Sequence, residues 1–402
     1  MTHRLHSEDA YLLDFDATVV ASLDHEGRPA VVLDRTAFYA ESGGQPWDTG
    51  TLGEARVLAV IEQGEDVLHV LDRPLAAGRV VGRVDGQRRL DHRQQHHGQH
   101  LLSQAFVEVA HARTIAFHLG AGTTTIDLDR PVGPAEARAA VRRANDIVWE
   151  ARPVRVETLP LAEARSQGFE PPPGAATGVR IVEAEGFDRQ PCSGTHPRTT
   201  AEVGVVVVTA LEKYKGGTRV SFVCGHRALA AIEKRLVVLD ELVSLLSAPL
   251  DELVAAAGKV RDDLLQTERR AKGLQERALE GEARRLLAAA RGDGPPFTKA
   301  TPALIVAAYD GWAPDDLRLL AQRLVALAPS VALLGSRAGK AHLVFAQSKG
   351  LPHDVPALLR EAVDHLGGRG GGRGNLAQGG GDRLELLDEA LAKASATVKA
   401  KA

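Results

Sequence analysis

Two pairs of metal-ligand residue types, almost a hundred positions apart, restrict this chain more than any other feature. His96 and His100 stand four apart in Gln95-His96-His97-Gly98-Gln99-His100-Leu101-Leu102, and Cys192 and His196 stand four apart in Pro191-Cys192-Ser193-Gly194-Thr195-His196. On a helix the first pair leaves one face a turn apart. Alone it reads equally well as two solvated histidines. With a thiol and a third imidazole added, the set is CysHis3, a donor mix that suits one Zn2+ per chain. A fold that uses all four must lay the 192–196 loop over the 96–100 helix. His92 and His97 read as bystanders, and His97, about 100° from its neighbour on the helix, reads equally well as an orienting or surface group or as a spare ligand.

The chain has 402 residues, 44% hydrophobic and 25% charged, enough for two or three cores in an ordinary globular protein. The net charge of −3 argues against general adhesion to nucleic acid. Residues 1–200 hold 21 Lys and Arg against 28 Asp and Glu, whereas residues 201–402 hold 28 against 24, so phosphate contacts are expected in the second half. Two cysteines make no disulfide framework. With neither a signal-peptide core nor an apolar stretch of membrane-spanning length, a cytoplasmic location is expected.

Patterning predicts an α+β protein. Short alternating runs from Tyr11 to about Val84 read as a small β-barrel, and a helix follows over Arg88 to about Ala110. Strand signals at 123–128, 153–159, 203–208 and 219–224, with a helix over 133–152, complete an α+β zinc-containing domain. From Arg227 to about Arg291 the chain reads as helices, either a solvated connector or a coiled-coil dimer contact. Beyond Gly292-Asp293-Gly294-Pro295-Pro296 comes an α/β module with a glycine-rich loop over 367–381, which lacks the Gly-Lys-Ser/Thr ending of a triphosphate-binding loop.

Two further segments give the metal words a context. Thr36-Ala37-Phe38-Tyr39-Ala40-Glu41-Ser42-Gly43-Gly44-Gln45-Pro46 precedes the helix, and Gly370-Gly371-Gly372-Arg373-Gly374-Asn375-Leu376-Ala377-Gln378-Gly379-Gly380-Gly381 lies near the end. In this order the four segments resemble the editing half of alanyl-tRNA synthetase and its free-standing relatives, the AlaX family. The order of segments resembles the long form, with a C-terminal DHHA1-type domain. Because these words begin within forty residues of Met1, no aminoacylation domain is expected ahead of them. The expected layout is a β-barrel (1–84), a zinc-binding editing domain (85–226), a helical connector (227–292) and a DHHA1-type tRNA-binding domain (293–402).

The resemblance implies an aminoacyl-tRNA deacylase that cleaves seryl- or glycyl-tRNA(Ala) in trans, with tRNA(Ala) as partner and the zinc either catalytic or positioning. It implies that Thr36 lines the amino-acid pocket and that Arg369 and Arg373 touch the tRNA body. The residues themselves suggest that Gly43 and Gly44 let backbone approach a ligand, that Gln45 offers its amide to substrate, and that His196 is the replaceable ligand. Homodimerisation through the 227–292 helices or the C-terminal domain fits the same reading. Two alternatives stay open: threonyl-type editing of mischarged tRNA(Thr), and a non-catalytic zinc-stabilised tRNA-binding module. Ser193 and Pro197 depart from the family, which more often has Gly and an apolar residue there.

Overall fold

A computed structural model describes residues 1–171 and 178–400. The chain divides into two compact units, Met1–Ser247 and Ala248–Ala402. The division falls inside the stretch read as one connector, where Ser247, in left-handed conformation, and Pro249 separate the helices Gly225–Leu246 and Leu253–Arg291. Among the described residues no helix is long and apolar enough to cross a membrane.

In the first unit, six antiparallel strands close on themselves in the order Asp14–His25, Arg28–Leu33, Asp66–Leu71, Ala55–Gln63, Gly50–Leu52 and Gly78–Val84. Their inward residues, among them Phe15, Val31, Leu33, Val57 and Leu71, form one apolar core with Phe38. The Phe38-Tyr39-Ala40 stretch is therefore buried against the barrel. Asp48, close behind it, forms a fully buried ion pair with Arg89, whose guanidinium also donates to the carbonyls of Ala37 and Ala10. That pair fastens the segment containing Gly43, Gly44 and Gln45 to the first turns of the histidine helix.

The histidine helix, Gly86–Ala110, is capped by the Asp85 carboxylate, which accepts from the Gln87 and Arg88 amides, and ends at His111 in left-handed conformation. Its middle is rich in polar residues, yet almost every position from His92 to Phe106 is buried. Burial is tolerated because most of the polar groups are paired, His92 Nδ1, Arg93 Nε and His97 Nε2 being exceptions. Gln95, for example, exchanges two hydrogen bonds with the backbone of Cys224. Gly98 faces the same strand, and a β-carbon there would lie 2.2 Å from Cys224 Sγ, so glycine sets how closely helix and sheet approach.

The sheet beneath runs in the order Val206–Tyr214, Gly217–Cys224, Thr124–Leu128, Thr114–Leu119, and shares a core with the histidine helix and the helix Pro134–Trp149. A separate antiparallel sheet, Val154–Pro160, Gly178–Ala184 and Asp188–Pro191, delivers the Cys192 loop.

The second unit is a mixed five-stranded sheet in the order Ala303–Asp310, Ser330–Ala338, Lys340–Gln347, Leu376–Gly381, Arg369–Arg373. The helices Val355–His365 and Leu387–Ala400 pack on one face, and Pro314–Leu327 with the end of Leu253–Arg291 packs on the other. The glycine-rich stretch expected as a loop is a β-hairpin instead, Arg369–Arg373 pairing with Leu376–Gly381. Close packing selects Gly370, Gly372, Gly379, Gly380 and Gly381, whereas a β-carbon on Gly371 would meet open space. A β-carbon on Gly379 would lie 2.6 Å from the Gly370 backbone and 2.9 Å from Val363 of the covering helix. Arg369 and Arg373, four apart on this edge strand, are exposed and share one sheet face.

Candidate metal centre

The helix and the loop meet as the spacing requires. One ligand atom from each of His96, His100, Cys192 and His196 lies within 4.8 Å of the others. Cys192 Sγ is 3.3 Å from His96 Nε2 and 3.2 Å from His196 Nε2. Each imidazole has its second nitrogen engaged on the outer side. His96 Nδ1 is 2.8 Å from Gln45 Oε1, His100 Nδ1 is 2.9 Å from Asp188 Oδ2, and His196 Nδ1 is 3.0 Å from His97 Nδ1. This is the outer support that fixes ring orientation around a metal.

The electrostatics favour a cation in the middle. Burial raises the pKa of the Cys192 thiol, but the His96, His196 and His100 imidazoles outweigh it and hold the thiol well below its usual range. Burial likewise opposes charge on His100, yet the Asp188 carboxylate and Cys192 raise it to about 10. Burial keeps His196 neutral, at about 3. A thiolate, three imidazoles and a neighbouring carboxylate thus converge, the proton held on His100 balancing the negative charge where a metal cation would otherwise do so, and this donor set fits Zn2+.

Beside the cluster opens a cavity of about 560 Å3, walled by His96, His100, Cys192, Gly43, Phe117 and Arg180, among others. Ser42-Gly43-Gly44-Gln45 forms a tight turn with both glycines at positive φ, +51° and +80°. A β-carbon on Gly44 would sit 2.7 Å from the Phe117 ring, so the turn presses against the strand Thr114–Leu119.

Two residues expected at the substrate, Gln45 and Thr36, do not line this cavity. Gln45 is fully buried and saturated: its Oε1 accepts from His96 Nδ1 and the Thr195 amide, while its Nε2 donates to Thr195 Oγ1. It ties the helix ligand to the loop that carries the other two. Thr36 is buried inside the barrel and does not line the cavity. Its hydroxyl bonds His69 Nε2 at 2.8 Å and accepts from the Phe38 amide. Sequence reasoning missed Asp188, Thr195 and the cavity residues Phe117 and Arg180, and it left the role of His97 open. Only His97, flanked by ligands on one helix, carried a local signal.

A family model of the threonyl and alanyl tRNA synthetase second additional domain matches residues 179–221, one of class II (A) tRNA synthetases matches 5–88, and the DHHA1 domain matches 301–400. Alanine–tRNA ligase of Ignicoccus hospitalis is 31% identical over 98% of this chain, which spans 43% of that relative's length. The alanyl-tRNA editing protein AlaX-L of Pyrococcus horikoshii is 29% identical over 98% of both chains. The alanyl-tRNA editing protein Aarsd1 of Danio rerio is 33% identical over 63% of this chain and 66% of its own.

Proposed function

The chain belongs to the AlaX family of alanyl-tRNA editing proteins, in the long form that carries a DHHA1 domain, and from that premise we propose that it is a deacylase acting in trans on mischarged tRNA(Ala). One observation carries the reading: a CysHis3 cluster with every imidazole oriented from behind forms part of the wall of a cavity of ligand size. We assign a Zn2+ ion to His96, His100, Cys192 and His196, where it would polarise an ester carbonyl or fix the geometry of the pocket.

The rest of the chemistry rests on the chain's own groups. An aminoacyl ester is already activated, and its hydrolysis needs mainly orientation and support for the developing oxyanion. The Gly43–Gly44 turn borders the cavity and lets backbone approach the ester without a β-carbon clash. Arg180 and Arg113, both on the cavity wall, bring positive charge to where the phosphates of a tRNA 3′ end would enter. In the second unit, Arg369 and Arg373 on one exposed sheet face supply contacts to the tRNA body. The preferred cargo in this reading is serine or glycine.

The test is a panel of seryl-, glycyl- and alanyl-tRNA(Ala) with seryl-tRNA(Thr). Release of serine or glycine from tRNA(Ala), with alanine spared, is the expected result. Hydrolysis confined to tRNA(Thr) would replace the reading with threonyl-type editing. Tight tRNA binding without any hydrolysis would leave a zinc-stabilised binding module.

A further inference from the structure

His97 is completely buried between ligands of the cluster, its ring edge-on to His196 (84°) and nearly parallel to His100 (27°). Its Nδ1 meets His196 Nδ1 at 3.0 Å, and among the described residues its Nε2 has no hydrogen-bonding partner. His196 turns Nε2 toward Cys192. An imidazole that gives its Nε2 lone pair to a metal must carry its proton on Nδ1, and that proton requires an acceptor. For His196 the acceptor is His97 Nδ1, which forces the proton of His97 onto its unpaired Nε2.

The three outer partners are not equivalent. At His100 Nδ1 the Asp188 carboxylate only accepts, and Gln190 Nε2, 2.8 Å from the same nitrogen, also donates to that carboxylate. Gln45 Oε1 is held as an acceptor, because the Thr195 amide also donates to it while Gln45 Nε2 donates to the Thr195 hydroxyl. His97 is the one of the three whose accepting atom depends on its own tautomer: Nδ1 accepts only while the proton of His97 sits on Nε2.

We propose that His97 is a positioning residue for His196, its Nδ1 lone pair fixing the tautomer that leaves His196 Nε2 free for a metal. The proposal rests on the reading that the cluster holds zinc. It predicts that His97→Leu, which removes the acceptor, weakens Zn2+ binding by roughly 10- to 100-fold in chelator competition, the usual loss when an outer partner of a metal-bound histidine is removed. His97→Asn, whose amide oxygen can take the place of Nδ1, should recover most of that loss. In the zinc-loaded native chain, long-range proton–nitrogen correlation of labelled histidine rings should find His97 protonated on Nε2 and bare on Nδ1.

Wild-type zinc affinity in His97→Leu, affinity in a folded His97→Asn as weak as in a folded His97→Leu, or a proton on His97 Nδ1 in the loaded protein would each overturn the proposal. The ring-proton measurement needs no variant, so it decides even if His97→Leu does not fold. Failure of the native chain to bind zinc is a different result, and it would remove the metal reading itself.

Discussion

Replacing Gln45 by leucine separates two roles that its position in the chain leaves confounded. Leucine has nearly the same reach and can fill the space, so the change is mainly in hydrogen bonding. It leaves three buried groups without partners: the His96 Nδ1 proton, the Thr195 amide and the Thr195 hydroxyl. Each such group costs about 1–3 kcal/mol. The two Thr195 terms burden the apo and loaded proteins alike and should appear as lower stability in both. The His96 term differs, because only a metal-bound His96 is obliged to hold its proton on Nδ1. If it falls wholly on the loaded form, about 1.4–2.8 kcal/mol becomes a 10- to 100-fold loss of zinc affinity, in agreement with the usual effect of removing an outer partner. Gln45→Glu keeps the acceptor and should keep the affinity. Chelator competition gives the affinities, and denaturant unfolding of apo and loaded protein gives the stabilities. Wild-type zinc affinity in Gln45→Leu, with KM for seryl-tRNA(Ala) raised instead, would refute the orienting role and return Gln45 to the substrate.

Thr36→Val should destabilise the first unit by about 1–3 kcal/mol, since His69 Nε2 and the Phe38 amide both lose the hydroxyl; seryl- and glycyl-tRNA hydrolysis should change equally, and a loss confined to the seryl substrate would contradict this placement. Burial lowers His6 to about 3 and His69 and His92 to about 4. Their folded values lie below the ordinary 6.5, so the unfolded chain takes up protons first as pH falls. Each should therefore remove up to about 1.4 kcal/mol of stability per pH unit between pH 6.5 and about 4, and a denaturation midpoint unchanged over that range would exclude the effect. Replacing both Arg369 and Arg373 by alanine in the full chain should raise KM for charged tRNA at constant kcat and reduce the slope of log affinity against log salt by roughly 1.5–2; an unchanged slope would mean that neither arginine meets phosphate.

The four-donor cluster was legible because the helix puts His96 and His100 on one face whatever surrounds them, and because Cys192 and His196 repeat the spacing in a short loop. Depth was not legible. Gln45 follows two glycines, a pattern that suggests exposed approach to a ligand, yet the turn aims its amide inward because the Asp48–Arg89 pair draws the segment onto the helix. Asp188 reaches His100 only through antiparallel pairing with Gly178–Ala184, a strand that the sequence reading passed over. Thr114–Leu119 was passed over too, since its apolar residues do not follow a clean strand period and the helix before it ends only a few residues earlier. The glycine run at 367–381 looked like a loop by composition. Its strand character comes from the pairing partner and from the helix Val355–His365 pressing on it, neither of which is local. Helix Pro314–Leu327, by contrast, carries its start signal locally, with a proline in the first turn and Asp315 and Asp316 beside it.

Dependence of ester hydrolysis on a single zinc held by His96, His100, Cys192 and His196 is tested most directly by metal reconstitution. Protein stripped of metal is titrated with Zn2+ while seryl-tRNA(Ala) hydrolysis is followed under single-turnover conditions. The account predicts negligible hydrolysis without metal, a rise that saturates at about one zinc per chain, and no rise for Cys192→Ala or His100→Ala. Full activity in the metal-free protein, or a zinc-restored rate in Cys192→Ala equal to that of the native chain, would contradict it.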